Sequence, residues 1–100
     1  MEEKNPLPNN CIAVGSKPFL AYLKSVNTLF RGKRLKEIEI RARGKNIQKA
    51  VDLAESSRNK FCHDLNITCD KVEIGTEKFT SKEDANKEIS VSTIAIFLKI

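Results

Sequence analysis

Side chains on which most enzymes and base-stacking proteins depend are scarce in this chain. Among its 100 residues there are one histidine, one tyrosine and no tryptophan. His63 and its neighbour Cys62 would diverge on a helix, so neither a Cys-His nor a Ser-His pair can be assembled. Asp52 and Glu55 share a helix face, as metal-binding carboxylates of nucleases do, but no histidine accompanies them. A sheet that stacks RNA bases on aromatic rings is excluded as well. The sequence therefore predicts a protein that is not an enzyme.

Cysteines and long apolar runs are also few, which bears on compartment and on metal binding. Cys11, Cys62 and Cys69 show no C-x-x-C spacing, and a single histidine cannot complete a zinc site. No apolar run is long enough to cross a bilayer, and no signal-peptide pattern is present. We expect an intracellular protein with reduced thiols and with no metal, cofactor, membrane or small-molecule substrate as its partner.

Positive charge is concentrated in the middle of the chain. The 18 basic and 13 acidic residues give a net charge of +5. Residues 31–60 contain ten of the basic and four of the acidic residues, a net +6, so the remainder carries −1. A local excess of this kind favours polyanions, of which nucleic acid is the commonest. A solvated basic face would have the same composition.

Apolar periodicity predicts one small domain. Residues 1–9 are polar and contain two prolines, which predicts a flexible arm before a single domain over residues 10–100. Helices are expected from a cap at Ser16 to Gly32 and over 46–63, and strands at 11–14, 35–41, 65–77 and 89–100. This β-α-β-α-β-β order predicts an α/β two-layer sandwich with two helices on one face of a four-stranded mixed sheet. A polar hairpin tip, 81–88, precedes the last strand, which is apolar on both faces and so indicates a subunit interface.

The most informative segment is the second strand-to-helix junction. Arg41 and Arg43 are two residues apart, so on a strand they share the face opposite the core. Gly44 permits the positive φ of a sharp turn, and Asn46 is a suitable N-cap for the next helix. Two guanidiniums, Lys45 and a helix N-terminus together make an anion site suited to phosphate.

Five short motifs occur in a characteristic order along the chain. They are Gly15-x-Lys17-Pro18, Ile40-x-Ala42-Arg43-Gly44-x-x-Ile47-x-Lys49-Ala50-Val51-Asp52, Arg58-Asn59-Lys60-Phe61, Ile74-Gly75-Thr76 and Val91-Ser92-Thr93-Ile94. In order and spacing they resemble the Alba family of small nucleic-acid-binding chromatin proteins over nearly the whole chain. The resemblance implies a fold like the C-terminal domain of translation initiation factor three. It also implies a dimer that binds double-stranded DNA, and often RNA, with little sequence preference, and that compacts chromosomes.

The resemblance also assigns roles to individual positions. Residues of the first helix and of the strand-to-helix junction are expected to contact nucleic acid: Ser16, Lys17, Tyr22, Arg41, Arg43, Gly44, Lys45, Asn46 and Lys49. Together with the doubly apolar last strand, it implies dimer or dimer–dimer contacts by Arg58, Lys60, Phe61, Ile94, Ile96 and Phe97. Core packing remains an alternative role for Tyr22 and for Phe61.

Two departures from the family pattern qualify these expectations. Ser16 stands where the family usually has an acetylated lysine, so acetylation is not expected to control binding there. The hairpin from Glu77 to Glu88, usually basic, carries −1, so Arg41, Arg43 and Lys45 must supply more of the binding. An RNA scaffold resembling the accessory subunits of RNase P and RNase MRP, or a regulator of RNA stability or translation, would use the same site. The expected location is nucleoid and cytoplasm in a prokaryote, or nucleus and cytoplasm in a eukaryote.

Overall fold

The predicted elements occur in the predicted order. The computed structural model describes residues 9–81, 83 and 86–100. Its elements are β1 (Cys11–Ala13), α1 (Phe19–Asn27), β2 (Glu37–Arg43), α2 (Ile47–Ser56), β3 (Thr68–Thr80) and β4 (Glu88–Lys99). The two-helix, four-strand α/β class is thereby confirmed. The arm predicted for residues 1–9 lies outside the described residues except for Asn9.

The four strands form one mixed sheet in the order β1-β2-β4-β3. β1 and β2 are parallel, as a strand–helix–strand crossover through α1 requires. β4 lies inside the sheet, antiparallel to β2 on one side and to β3 on the other. The β3–β4 ladder runs from the Thr68–Lys99 pair to the Thr80–Glu88 pair. The two strands therefore continue three residues nearer the hairpin tip than the apolar pattern indicated for β3.

The core lies between the helices and one face of the sheet. Along β2, Ile38, Ile40 and Ala42 are buried and the residues between them are not. α2 packs on β2 and β4, and its Leu53 is completely buried, as is Val26 of α1. This strict alternation of apolar and charged residues is what sets the outward direction of the arginines on β2.

The last strand differs from the prediction at one interface residue. Ile96 pairs with the buried Ile40 and is itself only 3% exposed. It therefore belongs to the core of one chain, and its predicted place in a subunit interface is wrong. Ile94 lies on the same face and is partly buried, whereas Phe97 is partly buried on the opposite face, where the Lys71 Nζ lies 4.9 Å from its ring centroid.

The edge strand β3 has no cover on either face. All of its 13 residues are exposed, because α2 packs over β2 and β4. Val72 and Ile74 pair with Ile96 and Ile94 and so lie on the helix side of the sheet, yet they remain 50% and 83% exposed. A continuous apolar surface is thus left beside the core.

Each helix ends in a π-helical turn, Thr28–Gly32 after α1 and Ser57–Phe61 after α2. In the second turn the Cys62 amide donates to the Ser57 carbonyl oxygen at 2.9 Å. The longer turn places Cys62, which is fully buried, where a regular helix would place Phe61. Phe61 is 44% exposed, so the core-packing alternative for its ring is wrong.

Candidate nucleic-acid interface

The junction between β2 and α2 begins at a glycine that no other residue replaces without strain. Gly44 has φ +59°, and a Cβ built on it would lie 3.4 Å from Val91 Cγ1. A 3-10 turn, Gly44–Asn46, then precedes α2. Asn46 makes no side-chain capping hydrogen bond, and neither does any residue at the start of α1, where Pro18 rather than Ser16 is the N-cap. Both capping predictions are wrong.

The two arginines lie on the exposed face of β2, and each is paired with a carboxylate. Arg41 donates to Glu39 on its own strand, and this hydrogen bond raises the pKa of Arg41 above its already high value. Arg43 Nη1 donates to Glu77 Oε1 at 2.8 Å, and its guanidinium lies 5.4 Å from the ring centroid of Phe79. Both guanidiniums are therefore fixed in position and partly neutralised.

Tyr22 is buried, and its hydroxyl organises the loop before α1. The amides of Gly15 and Lys17 donate to Tyr22 Oη at 2.8 Å and 3.1 Å. The ring is 6% exposed, which favours packing, of the two roles left open, over direct contact with a ligand. Its position beside the nucleic-acid face acts through the loop backbone.

Lys49 holds the same loop from the other side. Its Nζ donates to the carbonyl oxygens of Gly15 at 2.9 Å and Lys17 at 2.6 Å. The ammonium also lies 5.2 Å from the ring centroid of Tyr22. Tyr22 and Lys49 together bind the amides and carbonyls of the loop, and we call this arrangement the loop clamp.

Two lysines complete the basic surface, and both are unpaired as far as the structure describes the chain. Lys17 follows from the clamped loop, and Lys45 lies in the 3-10 turn. Each is exposed, and neither makes an ion pair with another described residue. The predicted cluster therefore consists of two free ammoniums beside two paired guanidiniums, with Lys49 committed to backbone oxygens.

A groove of about 900 Å³ crosses the open face of the sheet beside this cluster. Its lining brings together Arg41, Arg43 and Asn46 from the junction. Glu73 and Glu77 of β3 line the opposite side. The groove thus offers both signs of charge, and its basic rim is the side nearest α2.

The residues expected in subunit contacts lie apart from this surface, at the end of α2. Arg58 is partly buried, donates to Glu55 Oε2 at 2.7 Å and to the Ile67 carbonyl oxygen at 3.3 Å, and so is largely committed within the chain. Lys60 and Phe61 are exposed.

Other kinds of site receive no support from the part of the chain that is described. Within it, His, Cys, Asp and Glu side chains form no group of three that could hold a metal ion. None of its helices is long and apolar enough to cross a membrane.

Comparison with known proteins settles the family. The family model described as Alba matches residues 10–81. The chain belongs to the Alba family. The resemblance inferred from the five motifs is confirmed.

Two relatives named DNA/RNA-binding protein Alba align with almost the whole chain. The protein from Methanocella arvoryzae is 42% identical over 91 residues, covering 91% of this chain and 90% of the relative. The protein from Picrophilus torridus is 39% identical over 89 residues, covering 89% and 93%. Neither name denotes an enzyme, in agreement with the sequence prediction.

Solved Alba structures share the fold. Alba from Thermoplasma volcanium superimposes with a TM-score of 0.79 at 37% identity, covering 91% of this chain and all of that one. ALBA1 from Trypanosoma brucei gives a TM-score of 0.66 at 22% identity, covering 94% and 71%, a likeness of fold alone.

Proposed function

We propose that this Alba-family protein binds double-stranded DNA, and also RNA, through the phosphates, with little sequence preference, and that it compacts DNA as a chromatin protein. The observation that carries the proposal is the grouping of Arg41, Arg43 and Lys45 beside the clamped loop that presents Lys17. The names of the two relatives, DNA/RNA-binding protein Alba, agree with it.

The chemistry of this surface suits a phosphate backbone better than base edges. Its cations come from a strand, a 3-10 turn and a loop, and base reading in the major groove ordinarily uses a helix or a two-stranded ribbon that fills the groove. Guanidiniums bind phosphate oxygens with two parallel hydrogen bonds, while ammoniums act as point charges. Contacts of this type position a protein on a duplex without selecting a sequence.

A dimer would place two such surfaces on one molecule. The uncovered Val72 and Ile74 beside the core supply an apolar surface suited to a second copy. The exposed Phe61 at the end of α2 supplies a separate contact between dimers. Two basic surfaces related by a twofold axis would bind one duplex at two points, and contact between dimers would draw neighbouring duplex segments together.

Salt dependence tests the proposal most directly. If a dimer makes about six to ten phosphate contacts, affinity for a DNA duplex should fall roughly 10³- to 10⁵-fold between 50 and 200 mM salt. Arg43→Gln should weaken binding equally on unrelated sequences and lower the salt slope by about one per lost contact. Lys99→Gln, the same charge change on the far end of β4, is the control. A flat salt response, or a loss confined to particular sequences, would refute backbone recognition.

A further inference from the structure

We propose that a second phosphate-binding track lies between α1 and the free edge of β1, a site outside the cluster predicted from the sequence. The inference rests on the proposed function, because the ligand is the phosphodiester backbone of the same nucleic acid. We call the site the α1 groove. It begins at Lys17 and continues along α1, away from the two arginines.

Three ammoniums line the α1 groove, and no carboxylate is part of its lining. The groove encloses about 430 Å³ between α1, β1 and the turn after α1. Lys17, Lys24 and Lys33 contribute its charge, and Ser25 and Thr28 contribute hydroxyls. All three lysines are exposed, and none forms an ion pair with another described residue. Their charge is therefore available to an external anion.

The sheet edge adds backbone donors to the same groove. The Glu39 amide donates to the Asn10 carbonyl oxygen, and the Val14 amide donates to the Arg41 carbonyl oxygen, both at 2.8 Å. Alternate residues of β1 therefore face β2, so the amides of Cys11 and Ala13 point to the free edge. Both residues line the α1 groove. Burial raises the pKa of the Cys11 thiol, so the thiol stays neutral and adds no negative charge.

The contrast with the arginine cluster is what gives the α1 groove its weight. Arg41 and Arg43 each have a carboxylate as an internal partner, and Lys49 is bonded to two carbonyl oxygens. A phosphate approaching the cluster must displace or share those partners. A phosphate in the α1 groove meets cations and amide donors with no anion to displace.

The shape of the groove favours a phosphate backbone over an acidic peptide. A peptide strand added to a sheet edge is held by a row of main-chain hydrogen bonds, and β1 has only three residues, of which two face outward. A phosphate needs only one ammonium and one or two donors. Lys17 also belongs to both surfaces, so a strand that contacts the arginine cluster continues into the α1 groove without a gap.

The test compares two double variants that make the same change in net charge. Lys24→Gln with Lys33→Gln removes charge from the α1 groove. Lys36→Gln with Lys99→Gln removes charge from exposed positions that do not line it. Each is measured by fluorescence anisotropy with a DNA duplex of about 30 base pairs, roughly 100 Å long at 3.4 Å per pair. Thermal unfolding confirms that both variants fold.

Two lost phosphate contacts should lower the salt slope by about 1.8. Because the effect vanishes near 1 M salt, affinity at 0.1 M should then fall on the order of 60-fold, and the control pair should leave the slope nearly unchanged. Equal losses in both pairs would mean a diffuse field and would overturn the proposal. Unchanged DNA binding with lost competition by polyglutamate would assign the groove to an acidic peptide instead.

Arg43→Gln separates the two proposals. If Arg43→Gln weakens binding and the α1 groove variant does not, the proposed function stands and the second track fails. If neither variant changes the salt slope, the proposed function itself fails.

Discussion

Tyr22→Phe removes a single oxygen atom and should weaken nucleic-acid binding only through Lys17. The ring stays in the core, while the amides of Gly15 and Lys17 lose the acceptor they share at 2.8 Å and 3.1 Å. Lys49 keeps its bonds to the carbonyl oxygens of the loop. The substitution therefore opens one side of the loop clamp and changes no charge.

The expected magnitude follows from the exposure of those two amides. A buried donor left without an acceptor costs about 1–3 kcal/mol. Gly15 is partly buried and Lys17 is exposed, so water can replace part of the lost bonding and the lower end of this range applies. A cost of about 1 kcal/mol corresponds to a factor of about five in the population of the ordered loop. Affinity for a duplex should fall by at most that factor.

A double-mutant cycle distinguishes this positioning role from a contact or a general loss of stability. Tyr22→Phe is measured alone and in a Lys17→Ala background, by anisotropy at fixed salt and temperature, and unfolding in urea is followed in parallel. With Lys17 present the loss should be about fivefold, and with Lys17 absent it should nearly vanish. The salt slope should change little in the single variant, because no charge is removed.

A second cycle uses matched lysines. Lys49→Met should be coupled to Lys17→Ala for the same reason, whereas Lys45→Met should be additive with it and should lower the salt slope by about one. An equal effect of Tyr22→Phe with and without Lys17 would show that the hydroxyl acts elsewhere. Full affinity of Tyr22→Phe in the presence of Lys17 would show that the loop needs no clamp.

Three further substitutions probe separate features. Glu77→Gln frees Arg43 and should strengthen duplex binding up to about fivefold, since an exposed ion pair contributes about 0.2–1 kcal/mol; with Glu73→Gln as the control on the same strand, weaker binding would contradict competition. Ile74→Asp should lower the mass in solution from dimer to monomer, and an unchanged mass by light scattering would remove this face from the interface. Ser57 is fully buried, and its Oγ has no hydrogen-bond partner among the described residues, so Ser57→Ala should leave the free energy of unfolding in urea unchanged or raise it by about 1 kcal/mol; a loss of that size would show a missing partner.

The parts of the structure that follow from local sequence were predicted well. The alternation along β2 placed Arg41 and Arg43 outside and the isoleucines inside, because a strand has a fixed two-residue period. Gly44 was identified as the residue with positive φ from its position between strand and helix. The ion pair of Glu55 and Arg58, three residues apart on a helix, is also present.

The parts that depend on distant residues could not be predicted. Arg43 and Glu77 are 34 residues apart in the chain, and only the pairing of β2 and β3 through β4 makes them neighbours. The roles of Tyr22 and Lys49 likewise depend on a loop more than 30 residues from Lys49. The π-helical turn that exposes Phe61 adds a residue to a helix whose periodicity alone indicates a continuous α-helix.

The carboxylates paired with the arginines have a consequence for which anions the surface accepts. A single phosphate ion that displaces Glu39 or Glu77 exchanges one anion for another and gains little. A nucleic-acid strand presents one charge about every 3.4 Å and also releases its own condensed cations, so it gains enough to displace both carboxylates at once. The surface should therefore ignore abundant small anions and respond to linear charge density, which allows a small basic protein to select polymers in the presence of many monomeric phosphates.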